Sequence, residues 1–407
     1  MSQSRRLRIC YVVPGHRLMS SMGPTRNVLN LARALQPLAD VTVAFRHTAD
    51  ASPPPGIPVM EIEPGSAYGR ADDAATSGMG NLQFLRYLMQ IRRFVARELV
   101  PFDIVLEKSW LLSGYVSSLC SARGQLGVPV ENIVQNPQHA ARGQWLKLLR
   151  MKLGARLACR SMRQARLVIA ETEFLRHEIH RHWEVPLERI AVVPLGVDRS
   201  LFHPIDQAEA RRRLDLRAEA TILTYIGVLD WTHNLEPVLR ALAGPCPADL
   251  ELHVIGDGAR RGEYEALARA SGRPVRFYGK VPHDEVPWHI AAADLCLAPY
   301  DSAAFASGEL GYSTLKVPEY LSVGRPVASV ASGRIRSLIT DGQNGFLFQN
   351  SVANWQERLA TLPSRSRLAE MGAIAARDPH ATWEDTARAY YDLCLAAYQA
   401  LPARRNG

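Results

Sequence analysis

The chain has 407 residues, 47% apolar and 22% charged, a globular composition long enough for two domains. It contains no uncharged apolar run of about 18 residues or more, which argues against a membrane-spanning helix. Its basic start, M-S-Q-S-R-R-L-R, leads into too short an apolar run for a signal peptide. The formal net charge is +8, but no nucleic-acid-recognition motif or zinc-finger spacing accompanies it, so nucleic acid is not expected as a partner.

In chain order, R-I-C-Y-V-V at residues 8–13 reads as the first buried strand, and residues 27–35 as a helix. Residues 41–45 are the next strand, and the Pro-rich stretch 51–58 is loop. Residues 80–99 read as a helix, with Leu85, Leu88, Met89, Val95 and Leu99 offered as its apolar face. Residues 104–106 and 129–134 are short strands. Residues 141–166 hold eight Lys or Arg and no acid, which equals the whole excess charge. Leu146, Leu149, Leu153 and Leu157 recur there at helical spacing, flanked by Lys147, Arg150, Lys152 and Arg156. Two readings stand. Either this helix lies on an anionic membrane surface through those four cations, or it packs by its Leu stripe and leaves solvated charge outside. Residues 167–170 follow as a strand.

The segment R-I-A-V-V-P-L-G-V-D-R-S-L-F-H-P, 189–204, reads as a domain boundary. Strands are then expected at 222–226, 252–255, 275–278, 295–298, 327–330 and 346–348, with helices at 235–243 and 260–270. The last helix, 383–401, has Trp383, Ala387, Tyr390 and Tyr391 on one side. Two alternating series predict two facing, doubly wound Rossmann-like α/β domains. The expected divisions are 1–198, 199–382 and a C-terminal helix 383–407 returning to the first domain. Ligands of such sheets lie beyond the carboxyl ends of the strands, and the cleft between two such domains is the expected site. The six cysteines (10, 120, 159, 246, 296, 394) have neither metal-ligand nor redox spacing. They predict buried thiols in a reducing cytoplasm.

The stretch richest in chemistry is E-L-G-Y-S-T-L-K-V-P-E-Y-L-S-V-G-R-P-V-A-S from Glu309, closed by D-G-Q-N-G-F. A Gly-containing loop enters a helix near Ser313 and Thr314, with Lys316 and Glu319 in its first turns. Backbone N–H groups at a helix start suit a diphosphate. A carboxylate one turn further can accept from ribose hydroxyls. The same residues also fit an ordinary loop–helix–strand unit, with Glu319 favoured by the helix dipole and Lys316 solvated.

Four segments in order carry a resemblance: E-T-E-F-L-R with R-I-A-V-V-P-L-G-V-D-R-S-L-F-H-P; L-H-V-I-G-D-G-A-R-R-G-E-Y-E-A-L-A; V-R-F-Y-G-K-V-P-H-D-E-V-P-W-H-I-A-A-A-D-L-C-L-A-P-Y; and the 309–329 stretch. Together they resemble the retaining family 4 glycosyltransferases of the GT-B superfamily. The match covers residues 167–348 well and the first 160 residues in outline. It implies transfer of a sugar from a UDP- or GDP-sugar to a hydroxyl of a glycolipid, polysaccharide or other glycan, with retention, and with no metal or other cofactor. It implies that Glu319 binds the donor ribose, and that Gly311, Tyr312, Ser313, Thr314, Leu315 and Lys316 line the diphosphate and sugar. Gly279, Lys280 and Val281 fall beside the base, and Gly23 in the first-strand loop near the phosphates. Glu309 matches an acidic residue facing the sugar, although a solvated loop Glu fits equally.

The chain departs from the family in Y-I-G-V-L-D-W-T-H-N-L. After Gly227, Val228 stands where the family has Arg and His233 where it has Lys. His233, Asn234, Lys316, Arg334 or Arg336 are the available substitutes. In V-P-V-E-N-I-V-Q-N-P-Q-H, Gln135 or Asn136 replaces the usual imidazole near the donor sugar. Glu107 and Lys108 read either as cleft residues or as a surface ion pair. The expectation is a cytoplasmic enzyme, peripheral on the inner membrane face, with a nucleotide sugar and a glycan or lipid-linked acceptor as partners. The alternative is a non-catalytic nucleotide-sugar-binding homologue supporting another glycosyltransferase.

Overall fold

The computed structural model describes residues 5–16, 18, 23–48, 55–63, 81–131, 145–302, 305, 307–377 and 380–402, and only the backbone of 23, 24, 81 and 145–151. The chain divides into two compact units: Met1–Leu195 with Trp383–Gly407, and Gly196–Thr382.

In the first unit the elements run β1 (Arg8–Val13), α1 (Gly23–Leu35), β2 (Asp40–Phe45), β3 (Val59–Glu61), α2 (Asn81–Arg97), β4 (Ile104–Lys108), α3 (Tyr115–Ser121), β5 (Leu126–Glu131), α4 (Trp145–Gln164), β6 (Val168–Ala170), α5 (Glu173–Trp183) and β7 (Ile190–Val192). Its strands form a parallel sheet in the order β3-β2-β1-β4-β5-β6-β7. The strand sequences are continuous apolar runs because helices cover both faces of such a sheet. Thr172 caps α5, its side chain accepting from Leu175 N at 3.1 Å, so E-T-E-F-L-R turns from β6 directly into a helix.

In the second unit follow α6 (Gln207–Arg213), β8 (Thr221–Ile226), α7 (Glu236–Ala241), β9 (Leu250–Ile255), α8 (Arg261–Ser271), β10 (Val275–Gly279), α9 (Val286–Ala292), β11 (Leu295–Ala298), α10 (Lys316–Ser322), β12 (Val327–Ser329), α11 (Ile335–Leu338), β13 (Gly345–Leu347), α12 (Val352–Ala360) and α13 (Arg365–Arg377). The parallel sheet order is β10-β9-β8-β11-β12-β13. Successive side chains of a strand point to opposite faces. Accordingly Leu295 and Leu297 enter one core with Leu223 and Tyr225, while Cys296 and Ala298 enter the other with Val317 and Leu321. The last helix, α14 (Trp383–Gln399), belongs to the first unit and packs on α1. Its Thr386 Oγ1 donates to Pro194 O at 3.1 Å.

Several expectations need correction. Gly23 opens α1 rather than lying in the preceding loop; Pro24 suits a first helical turn, where its missing N–H costs nothing. The buried face of α2 is Phe84, Tyr87, Ile91, Phe94 and Val95, whereas Leu85 and Met89 are 57% and 54% exposed. Positions 84, 87, 91 and 94 follow the helical repeat, and the expected set straddled the neighbouring stripe. On α4, Leu153 is 54% exposed, the buried positions are Gly154, Ala158, Ser161 and Met162, and Leu157 is half-buried against the core of the first unit. The expected Leu stripe therefore does not face the core at Leu153, and Leu146 and Leu149 lie among residues whose side chains are not described. Four cysteines are buried, Cys159 and Cys246 are half-buried, and all six are free thiols. Among the described residues no helix is long and apolar enough to cross a membrane.

Candidate functional site

Strand order reverses in the second unit between β8 and β11. At such a switch point the loops after the two strands diverge and leave a crevice for a ligand. Gly227 follows β8 and Tyr300 follows β11, and between them lies the start of α10. Tyr320 of α10 bonds back to the end of β8, accepting from Ile226 N at 2.9 Å and donating to Ile226 O at 3.2 Å. The helix start is thereby fixed to the crevice floor. Pro318 falls in the first turn, and the first intrahelical bond runs from Glu319 N to Leu315 O at 3.0 Å. Pro318 therefore removes no helical bond and does not break α10.

Lys316 opens α10. Its Nζ is buried and has no hydrogen-bond partner among the described residues. It lies 4.7 Å from the ring centre of Tyr225 and 5.3 Å from that of Tyr300. A Cβ on Gly227 would approach this Nζ to 2.6 Å, so the turn after β8 must be glycine for the ammonium to sit there. Burial brings the lysine down to about 7, against smaller upward pulls from Asp230 and Glu319. Gly256 lets the β9 turn close under the same loop, since a Cβ there would be 1.9 Å from Gly227 O.

His233 does not supply the charge of a lysine. Its Nδ1 is 2.9 Å from Asp230 Oδ1, which also accepts from His233 N at 2.8 Å. Its ring is 5.2 Å from that of Tyr300. Burial first, then Lys316, lowers its titration below the ordinary imidazole value. Val228 is 53% exposed and contributes only its carbonyl, which accepts from Tyr225 Oη at 2.6 Å.

The loop from 309 to 315 is held by polar contacts. Glu309 accepts from Arg336 at 2.7 and 3.2 Å, from Ser332 Oγ at 2.8 Å and from Gly333 N at 2.9 Å. Hydrogen bonds from Arg336, outweighing burial, hold its carboxyl below the usual carboxylate range. Arg334 Nη1 donates to Ser313 Oγ at 2.7 Å. Thr314 Oγ1 hydrogen-bonds the Tyr300 hydroxyl, and Tyr312 stacks edge-on to Tyr300. Ser313 and Thr314 are buried, while Gly311, Tyr312, Leu315 and Glu319 are half-buried. Gly279 ends β10 and is buried, Val281 is half-buried and Lys280 is exposed. Arg334 and Arg336 thus serve the loop itself.

In the first unit, Glu107 and Lys108 are fully buried rather than a surface pair, and they do not pair with each other. Glu107 accepts from Trp110 Nε1 at 2.7 Å, Ser117 N at 2.7 Å and Val116 N at 3.2 Å. Lys108 Nζ is 3.0 Å from Glu171 Oε1. Glu131, also buried, ends β5 beside them, and burial pushes its carboxyl well above the ordinary range. Gln135 and Asn136 lie outside the described residues. On α4, Lys152 and Arg156 are exposed; Lys147 and Arg150 fall among residues described by backbone alone. Among the described residues no three His, Cys, Asp or Glu side chains could hold a metal ion.

Sequence reasoning missed Tyr225, Asp230 and Tyr300. The signal available was topological: each lies at or just past the end of a buried strand, and the two strands become neighbours at the switch point only once sheet order is known.

Residues 220–364 match the glycosyl transferases group 1 and residues 22–196 the glycosyl transferase 4-like domain. The chain belongs to the family 4 glycosyltransferases. It is a glycosyltransferase built from two Rossmann-like domains of GT-B architecture. A relative from Thermobispora bispora, a D-inositol 3-phosphate glycosyltransferase, is 29% identical over 93% of this chain and 92% of its own. One from Geodermatophilus obscurus, with the same designation, is 26% identical over 84% and 77%. Among solved structures, Anabaena HepE in complex with UDP and glucose aligns with a TM-score of 0.72 at 16% identity, covering 95% of this chain and 98% of that one. Sucrose-phosphate synthase from Thermosynechococcus elongatus gives 0.69 at 19%, covering 97% and 98%. At these identities the structures establish the fold.

Proposed function

We propose that this glycosyltransferase takes a sugar from a UDP- or GDP-sugar and transfers it, with retention, to a hydroxyl of a glycan, glycolipid or related polyol acceptor. The observation that carries the reading is the meeting of Gly227, Tyr300, Thr314 and the start of α10 at the strand-order reversal of the second unit. The backbone N–H groups of Gly311 to Leu315 face the leaving diphosphate, whose developing charge needs fixed donors. Glu319 accepts from the ribose hydroxyls, and Gly279 to Val281 border the base. Glu309 stays ionised at neutral pH. It holds the loop against Ser332 and Gly333 and offers its remaining lone pairs to a sugar hydroxyl. The complexes of HepE with UDP and with UDP-glucose support a nucleotide-sugar donor by analogy of fold.

The test is release of nucleoside diphosphate from UDP- and GDP-sugars by purified protein. D-inositol 3-phosphate heads the acceptor panel, because relatives carry that designation. Acceptor-dependent release is expected, with product of the donor's anomeric configuration by NMR. Donor binding without turnover on any acceptor favours the non-catalytic alternative.

The exposure of Leu153 between Lys152 and Arg156 favours an anionic membrane surface as the partner of α4. Changing Lys147, Arg150, Lys152 and Arg156 to Gln is expected to reduce co-sedimentation with anionic liposomes, each cation being worth about 1 kcal/mol at the surface. Unchanged co-sedimentation rejects the contact.

A further inference from the structure

The Lys316 ammonium is an anomaly for a free protein. A buried charge is normally paired, because removing an ammonium from water costs several kcal/mol or more unless other groups replace its hydration. Here three N–H donors end in a buried niche with no acceptor among the described residues. Two aromatic faces, Tyr225 and Tyr300, compensate in part. The niche lies at the switch point, between the ends of β8 and β11. The sequence keeps it open at a specific position, since any side chain at Gly227 would fall on the ammonium. The cations expected nearby are absent: Val228 is apolar, and His233 is spent on Asp230.

We propose that Lys316 is the cation that receives the donor diphosphate, and that it takes up a proton from solvent as the diphosphate binds. This rests on the donor reading above. Three N–H donors of one ammonium with no acceptor among the described residues fit a ligand that brings several anionic oxygens. Burial lowers the free lysine to about 7, so near pH 8 it is mostly neutral. A bound dianion favours the charged form and draws the proton on. The titratable groups around Nζ are Asp230 and His233 of the β8–α7 turn, Glu319 of α10, Tyr225 of β8, and Tyr300 and Tyr312 of the loop after β11. Asp230 and Glu319 raise the lysine in the free chain but form no ion pair with it among the described residues. The tyrosines are pushed up by burial and stay neutral.

The test is calorimetric titration of UDP and uridine into wild type and Lys316→Met at pH 7, 8 and 9, in buffers of different ionisation enthalpy. For wild type at pH 8, we expect uptake of about one proton per UDP, with affinity falling by up to about tenfold per pH unit above 7. At pH 7, Lys316→Met is expected to bind UDP about 10- to 100-fold more weakly, to show no proton uptake, and to bind uridine as wild type does. At pH 9 the two proteins converge. A melting curve separates misfolding from loss of function: replacing by Met a buried ammonium that has no acceptor among the described residues is expected to keep or raise the Tm of the free protein. If UDP affinity and proton uptake survive in Lys316→Met, or if UDP and uridine weaken equally, the inference is overturned while the donor reading stands. If wild type binds none of UDP, GDP or ADP, both fail.

Discussion

Gly227 is the residue whose replacement discriminates most finely. A methyl group there meets Lys316 Nζ at 2.6 Å and the Tyr225 hydroxyl at 3.0 Å. Lys316 is a flexible side chain and can give way, so Gly227→Ala is expected to fold, losing about 1–3 kcal/mol to overpacking and to the positive φ of 154° that a side chain rarely adopts. Donor affinity is expected to fall with it, because the ammonium leaves its niche. Denaturant melts and UDP titration check the pair of effects; a variant with wild-type affinity separates Gly227 from the site. Lys316 also leaves a mark on stability. Its folded value, about 7, lies below the ordinary 10.5. The unfolded chain therefore binds more protons between those values, and this group's contribution to stability rises as pH goes from 7 toward 10.5. The residues of this site were unevenly legible in sequence. Glu319, Ser313 and Thr314 stand in a recognisable order. That the Lys316 ammonium meets no acceptor among the described residues was not readable, because it depends on which groups the folded crevice brings near.

At the scale of elements, the strands were readable because parallel strands covered on both faces are unbroken apolar runs. Helix faces were less so. α2 offers two apolar stripes, and only packing decides that Phe84, Tyr87 and Ile91 go inward while Leu85 and Met89 stay out. The ends of β4, β5 and β6 show the same limit: Glu107 and Lys108 read equally as cleft residues or as a surface ion pair, yet both are buried, with Lys108 on Glu171. Breaking such a pair leaves an uncompensated buried charge, so Lys108→Met is expected to cost about 3–5 kcal/mol. Glu131 behaves oppositely. Its folded value lies above the ordinary 4.5, so the folded chain holds a proton that the unfolded chain releases, and stability falls as pH rises above 4.5. Glu131→Gln removes that dependence. Its stability relative to wild type is expected to climb as pH rises above 4.5. A constant difference across that range in urea melts contradicts the assignment.

For the whole molecule, the two alternating series in sequence became two units with separate sheets, and the final helix returned to the first unit through α1. The donor reading concerns the second unit alone, where strand reversal, glycine turn, buried lysine and Glu319 coincide. It is tested most directly by ligand stabilisation, because whatever binds the folded chain raises its melting temperature by mass action. The measurement is a thermal-shift titration of UDP, GDP, ADP and dTDP against wild type and Glu319→Ala. At about 100 times its Kd, the right diphosphate adds about 2.7 kcal/mol to the stability of wild type. Loss of the Glu319 carboxylate is expected to weaken that diphosphate about 10- to 100-fold. No shift from any of the four at millimolar concentration, or an equal shift in the variant, contradicts the account.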